Sequence, residues 1–261
     1  MQQLILFNIF NGLIVGAFYA LMALGLSLIL NLSGVINFAH GGFLALGAYL
    51  AYSLMPAVGF WGALVLAPLL TAAIGLAVER LMIRRLYGRD PLYSLLLTFG
   101  LAYILEDTTR YIWGAQSLPY PIPAWLTRPL SSEYFFLTGY RLFMVALVAL
   151  AVAALFIILR YTRLGMRIRA GTLDLETVSA LGVNVRVLRN LNFGLGIYLA
   201  GLAGGLGSLP GTLLGGLLIG IASGITTVFY PSATEAVMYV MMGAVLLLRP
   251  RGLLGEEGRT Q

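Results

Sequence analysis

Residues 31–50 read Asn31-Leu-Ser-Gly-Val-Ile-Asn-Phe-Ala-His-Gly-Gly-Phe-Leu-Ala-Leu-Gly-Ala-Tyr-Leu50. Between two apolar runs they gather Asn31, Ser33, Asn37 and the chain's single histidine, His40, without one charged side chain. No Asp, Glu, Lys or Arg occurs before Glu79. A turn in water carries charge freely, and the other candidate turns of this chain do. A polar, uncharged turn among apolar helices predicts backbone at membrane depth, which is tolerated only where protein or a wet cavity satisfies its N–H and C=O groups. The stretch is therefore the first candidate for the wall of a pathway.

Composition agrees with a bilayer setting. Of 261 residues, 60% are hydrophobic and only 10% charged, whereas a soluble domain carries about 25% charged residues. There is no cysteine, hence no disulfide and no thiolate metal site. There is no lysine, so the net charge of +6 rests on arginine. The arginines fall at the ends of apolar runs, as topology signals do, and not in a patch suited to nucleic acid. Met1-Gln2-Gln3 lacks a basic n-region, and the run behind it is too long for a signal-peptide core. It is read as a retained span.

A span needs about 20 apolar residues. Residues 4–30, 38–55, 60–82, 92–113 and 142–159 each supply one, and apolar sequence returns at 191–206, 212–229 and 235–248. The expectation is an all-α polytopic bundle of seven or eight apolar segments, some broken or re-entrant, forming one domain over 1–261. Residues 114–141, rich in proline and aromatics, suit an outside interfacial loop with one short helix. Arg80, Arg84, Arg85 and Arg89 mark one inside loop and the arginine-rich segment 160–190 another. Counting back places the N-terminus outside. Counting forward conflicts with Arg249, Arg251 and Arg259 unless one late segment is re-entrant or two form a single broken unit. The break Gly207-Ser-Leu-Pro-Gly211 is the expected irregularity. Gly216, Gly220 and Gly224 form a ladder for close helix packing, with shorter pairs at Gly12/Gly16 and Gly201/Gly205.

Enzyme signatures are missing. Without lysine there is no P-loop, and one histidine cannot make an H-E-x-x-H zinc site. No cofactor or metal is expected. An intramembrane hydrolase using Ser208 would have only His40 as base, and a lone histidine more often bonds a neighbouring carbonyl. Asn31, Ser33 and Asn37 can contact solute, satisfy broken backbone, or do both. Glu106 and Arg110 read as an interfacial i, i+4 pair, and Glu79 beside Arg80 reads the same way. A secondary transporter usually keeps ionisable groups in its spans, and none precedes Glu79.

Within 160–190, Thr172 can cap a helix, Asp174 and Glu176 favour its N-terminal end, and Gly182 can close it. Leu175, Val178 and Leu181 give it one apolar stripe. Helices that rest on lipid favour basic polar faces. An acidic one flanked by arginines is better read as a dock for a cytoplasmic partner.

Several motifs carry a resemblance: Asn11-Gly-Leu-Ile-Val-Gly-Ala-Phe-Tyr-Ala20, Gly34-Val-Ile-Asn-Phe-Ala-His-Gly41, Leu46-Gly-Ala-Tyr49, Thr98-Phe-Gly-Leu101, Tyr161-Thr-Arg-Leu-Gly165, Ala180-Leu-Gly-Val-Asn184, Gly205-Leu-Gly-Ser-Leu-Pro-Gly211 and Arg249-Pro-Arg-Gly-Leu253. In this order they resemble LivH-type permeases, the membrane subunits of branched-chain amino-acid ABC importers. The resemblance adds Gly41 and Thr98 to the candidate pathway. It implies a bacterial inner-membrane protein, a second LivM-like permease subunit, two cytoplasmic ABC ATPases of the LivG and LivF type and a periplasmic substrate-binding protein, with ATP hydrolysed by the partners. It places ATPase docking at about 172–182. Urea or a short amide is the alternative solute, since related permeases share these motifs. Two departures stand out. Ala200-Gly-Leu-Ala-Gly204 runs almost directly into Gly205-Leu-Gly-Ser208, where family members have a loop and about one more span. Gly42 stands where some relatives carry a carboxylate.

Overall fold

The first uncharged run folds as one helix, α1 (Gln2–Ser33). At 1.5 Å per residue it is about 48 Å long, against a hydrocarbon core of about 30 Å. The computed structural model describes residues 2–114, 122–132, 135–203 and 210–248. The elements after α1 are α2 (His40–Leu81), α3 (Pro91–Trp113), α4 (Gly139–Tyr161), α5 (Arg163–Leu173), α6 (Leu175–Ala180), α7 (Val185–Ala203), α8 (Pro210–Phe229) and α9 (Thr234–Leu248). The fold is that of an all-α polytopic membrane protein. By length and composition α1, α2 and α4 are each able to cross a membrane.

The 42 residues of α2 are not one rod. Gly59 leaves helical geometry at φ 70°, a value that favours glycine. Gly47 and the pair Pro68/Thr71 both pack on Gly201 of α7, so the chain doubles back between them. The two halves, 40–58 and 60–81, are the two spans expected from the sequence. Gly75 against Ile197 and Gly194 against Leu76 continue the second half antiparallel along α7.

Two later helices share α1. Leu188 packs with Leu32, Asn192 bonds Leu28, and Gly196 meets Gly25, so α7 runs antiparallel along the C-terminal half of α1. A Cβ on Gly12 would stand 2.2 Å from the Gly220 carbonyl oxygen, and one on Gly224 2.3 Å from that of Asn8. Backbone therefore meets backbone at the expected glycine ladder, and α8 runs antiparallel along the N-terminal half of α1. α7 and α8 thus follow α1 one after the other, both antiparallel to it. Gly205 and the break at 207–209 lie outside the described residues. The chain turns at Pro231–Ala233, and α9 packs back on α8.

The stretch 114–141 differs from expectation. No helix forms there among the described residues before α4. Instead β1 (Pro129–Ser132) and β2 (Phe135–Thr138) pair antiparallel, with Pro129 opposite Thr138. Proline lacks an N–H and suits the first position of an edge strand. Residues 115–121 and 133–134 are outside the described set.

Candidate substrate pathway and docking segment

α1 ends where Gly34, at φ 66°, donates its N–H to the Leu30 carbonyl at 2.8 Å. The chain then climbs back beside its own last turns. His40 Nε2 stands 2.9 Å from the Met22 carbonyl oxygen and therefore donates to it, and a Cβ on Gly25 would touch the same ring. These partners lie 8–11 residues before Ser33, so α2 begins about 12–17 Å inside the end of α1. The irregular backbone of 34–39 thus packs beside the last turns of α1, and its buried polar groups need partners. Asn37 Oδ1 accepts from the Ala39 N–H at 3.1 Å. The Thr98 hydroxyl, on α3, accepts from the Phe38 N–H at 3.2 Å and lies 3.0 Å from the Ile36 carbonyl. One buried polar knot of Asn37, His40 and Thr98 holds the turn.

The structure separates the other candidates by exposure. Ser33 is buried at the end of α1. Asn31 is exposed and donates to the Ser27 hydroxyl at 3.0 Å. Gly41 is exposed in the first turn of α2, and a Cβ there would meet nothing within 4 Å. Phe38, Phe99 and Tyr103 form an exposed aromatic file, with ring centroids 6.3 and 5.1 Å apart. Sequence reasoning missed Asn192. It is fully buried on α7, and its side-chain amide donates to the Leu28 carbonyl at 2.5 Å, joining α7 to α1. An asparagine inside an apolar run was the available signal, because such residues bond across membrane helices.

Between α4 and α7, the helix expected at about 172–182 is instead the end of α5 followed by the short α6. Thr162 caps α5 by accepting from the Gly165 N–H at 3.1 Å. Asp174, not Thr172, caps α6, accepting from the N–H groups of Glu176 and Thr177 at 2.9 and 3.0 Å. Thr172 lies within α5 and donates to the Arg169 carbonyl. Asp174 takes the cap because α5 runs on to Leu173 and leaves Thr172 inside it. Bonds from the Thr177 hydroxyl and backbone hold the Asp174 carboxyl below its ordinary value. Gly182, at φ 85°, closes the unit. The expected apolar stripe is divided. Val178 is buried with Leu32, Ile168 and Leu188, Leu175 flanks that cluster, and Leu181 is 77% exposed. Leu173, not singled out from sequence, is 89% exposed.

Glu79 also departs from expectation. It is fully buried and makes no ion pair with Arg80; among the described residues the only pair is the expected Glu106–Arg110, at 2.6 Å. Glu79 instead accepts from the Tyr87 hydroxyl at 2.9 Å. The Asn190 amide, with its nitrogen facing acceptors, donates to the same carboxyl group at 2.9 Å and to the Arg186 carbonyl at 3.0 Å. Arg189 stacks 4.6 Å above the Tyr87 ring. Burial and the Glu79 charge push the Tyr87 phenol upward, so it stays protonated and donates.

The family model for the permease component of the branched-chain amino acid transport system matches residues 8–206. The chain belongs to this family. The permease is 28% identical to the high-affinity branched-chain amino acid transport system permease protein LivH of Salmonella typhimurium strain LT2, over 95% of each chain. It is likewise 28% identical to the corresponding protein BraD of Pseudomonas aeruginosa, over 98% of this chain and 96% of BraD. LivM of Escherichia coli K12, also named a permease of this transport system, is 31% identical over 72% of this chain and 49% of its own. No solved structure matches. The alignment with Salmonella LivH runs over 298 positions against 261 residues, so at least 37 of them face no residue here.

Proposed function

We propose that this chain is the membrane-spanning permease subunit of an ATP-driven importer for branched-chain or other neutral amino acids. It works beside a second permease, two cytoplasmic ATPases that hydrolyse the ATP, and a periplasmic binding protein. One observation carries the reading. Val178 of α6 packs on Leu32 of α1 and Leu188 of α7, and these two helices hold the polar knot through Met22 and carry Asn192. A push on α6 therefore bears directly on the helices around the turn. By arginine placement, the end holding 80–90 and 160–190 faces the cytoplasm and the N-terminus faces outside.

The solute passes Asn31, Gly41 and the exposed aromatic file, while Ser33, Asn37, His40 and Thr98 hold the wall in shape. A zwitterion needs no fixed charge there. The first-turn N–H groups of α2, unshielded at Gly41, suit its carboxylate, and the carbonyl end of α1 suits its ammonium. Exposed Leu173 and Leu181, with Thr172, Asp174, Glu176 and Gly182, form the docking face. The shortfall of residues falls at the α7–α8 join, near 204–205.

The test is uptake by the reconstituted importer. Leu173→Arg with Leu181→Arg should abolish uptake and solute-stimulated ATP hydrolysis while the permease still folds. Full uptake with both substitutions, or ATP hydrolysis by the purified permease alone, refutes the reading. Titrating leucine against urea on the binding protein decides the solute.

A further inference from the structure

A cleft of about 410 Å³ lies between the second half of α2, the end of α4 and α7. One wall runs from Leu69 to Arg80, and its floor runs along α7 from Val187 to Tyr198. Each spans eleven helical steps, about 16 Å, close to one leaflet of a hydrocarbon core about 30 Å thick. The lining is apolar except near one end, where Arg80 and Asn190 stand. Beyond that end a second hollow of about 280 Å³ shares Leu164, Val187 and Leu191 with the cleft and adds Arg167. Neither hollow is lined by a carboxylate. Among the described residues neither Arg80 nor Arg167 is in an ion pair. Leu69, Val187 and Leu191 are about half exposed, so the cleft opens sideways.

We propose that this cleft is a binding site for one anionic phospholipid of the arginine-side leaflet. An acyl chain lies along α7 between Leu76 and Tyr198, and the phosphate sits between Arg80 and Arg167. Length and charge both select this occupant. A chain of one leaflet's depth fills the apolar part, and the guanidinium groups stand where a headgroup must end. Arginine suits phosphate because its planar donors bond two oxygens at once.

The test is native mass spectrometry of the purified permease complex, titrated with phosphatidylglycerol and, separately, with phosphatidylcholine. One phosphatidylglycerol should be retained per permease, in preference to phosphatidylcholine. Arg80→Gln with Arg167→Gln should lower its retention about 30-fold, from about fivefold per basic side chain near an anionic membrane surface. Leu191→Trp, which keeps both charges but crowds the cleft at an exposed position, should also lower it. Equal retention of the two lipids overturns the proposal, as does retention unchanged by the arginine substitutions. So does cross-linking of a cysteine placed at Val187 to a helix of a partner subunit. Thermal unfolding of each variant separates lost lipid from lost fold.

Discussion

Tyr87→Phe is the sharpest probe of how the arginine-rich end is held together. The substitution deletes one oxygen and leaves the ring beneath Arg189. It removes the 2.9 Å donor to Glu79, a fully buried carboxyl group whose other donor is Asn190. A buried acceptor left short of a partner costs about 1–3 kcal/mol. At about 2–4 °C per kcal/mol for a chain of this size, the unfolding midpoint should fall by about 2–12 °C. Glu79→Gln keeps the shape and changes the acceptor. If the Tyr87 hydroxyl acts through Glu79, the two substitutions must not add, and the double variant should be less destabilised than the sum by about 0.5–3 kcal/mol. The assay is thermal unfolding of the four proteins in one detergent, at one protein concentration. Additive costs, or a Tyr87→Phe midpoint equal to the parent's, would refute the linkage between Glu79 and Tyr87.

Other substitutions separate fold from passage. Gly220→Leu forces a Cβ to 2.2 Å from the Gly12 carbonyl oxygen; overpacking of about 1–3 kcal/mol or more should part α8 from α1, read as faster proteolysis of the 210–248 region. A Cβ at Gly41 meets nothing within 4 Å, so for Gly41→Val the unfolding midpoint should hold while uptake falls, measured as leucine flux into vesicles. Asp174→Ala should remove the α6 cap and raise amide exchange across 175–181. Because the Asp174 carboxyl is lowered in the fold, its contribution is complete at neutral pH. It is lost only as pH drops through that depressed value, so the protection of these amides relative to their intrinsic exchange rate should fall on acidification below the ordinary carboxylate range.

The spans in α1, α2 and α4 were legible because length and apolarity dictate them. The reversal at 59 was legible as a boundary between two runs, although α2 is helical on both sides of Gly59. The knot was half legible. Asn37 and His40 announced themselves by being polar where nothing else is, but their pairing with Thr98 and Met22 depends on how far α2 starts inside α1. No local pattern encodes that offset. Thr172 and Asp174 were both visible as capping residues, and the choice turned on a break between α5 and α6 that helix periodicity does not mark. Glu79 misled because its neighbour in sequence, Arg80, points away, and its real partners come from residues 87 and 190.

The seam along α1 has a mechanical consequence. α7 and α8 ride the same rod one above the other: α8 is seated on glycine where main chains touch, whereas α7 is also pegged by the Asn192 amide and by Leu188 on Leu32. The glycine seat resists separation but offers little to stop a slide, and the peg of α7 resists both. A load on the pegged lower runner is therefore carried into α1 itself and reaches the upper runner only through that rod.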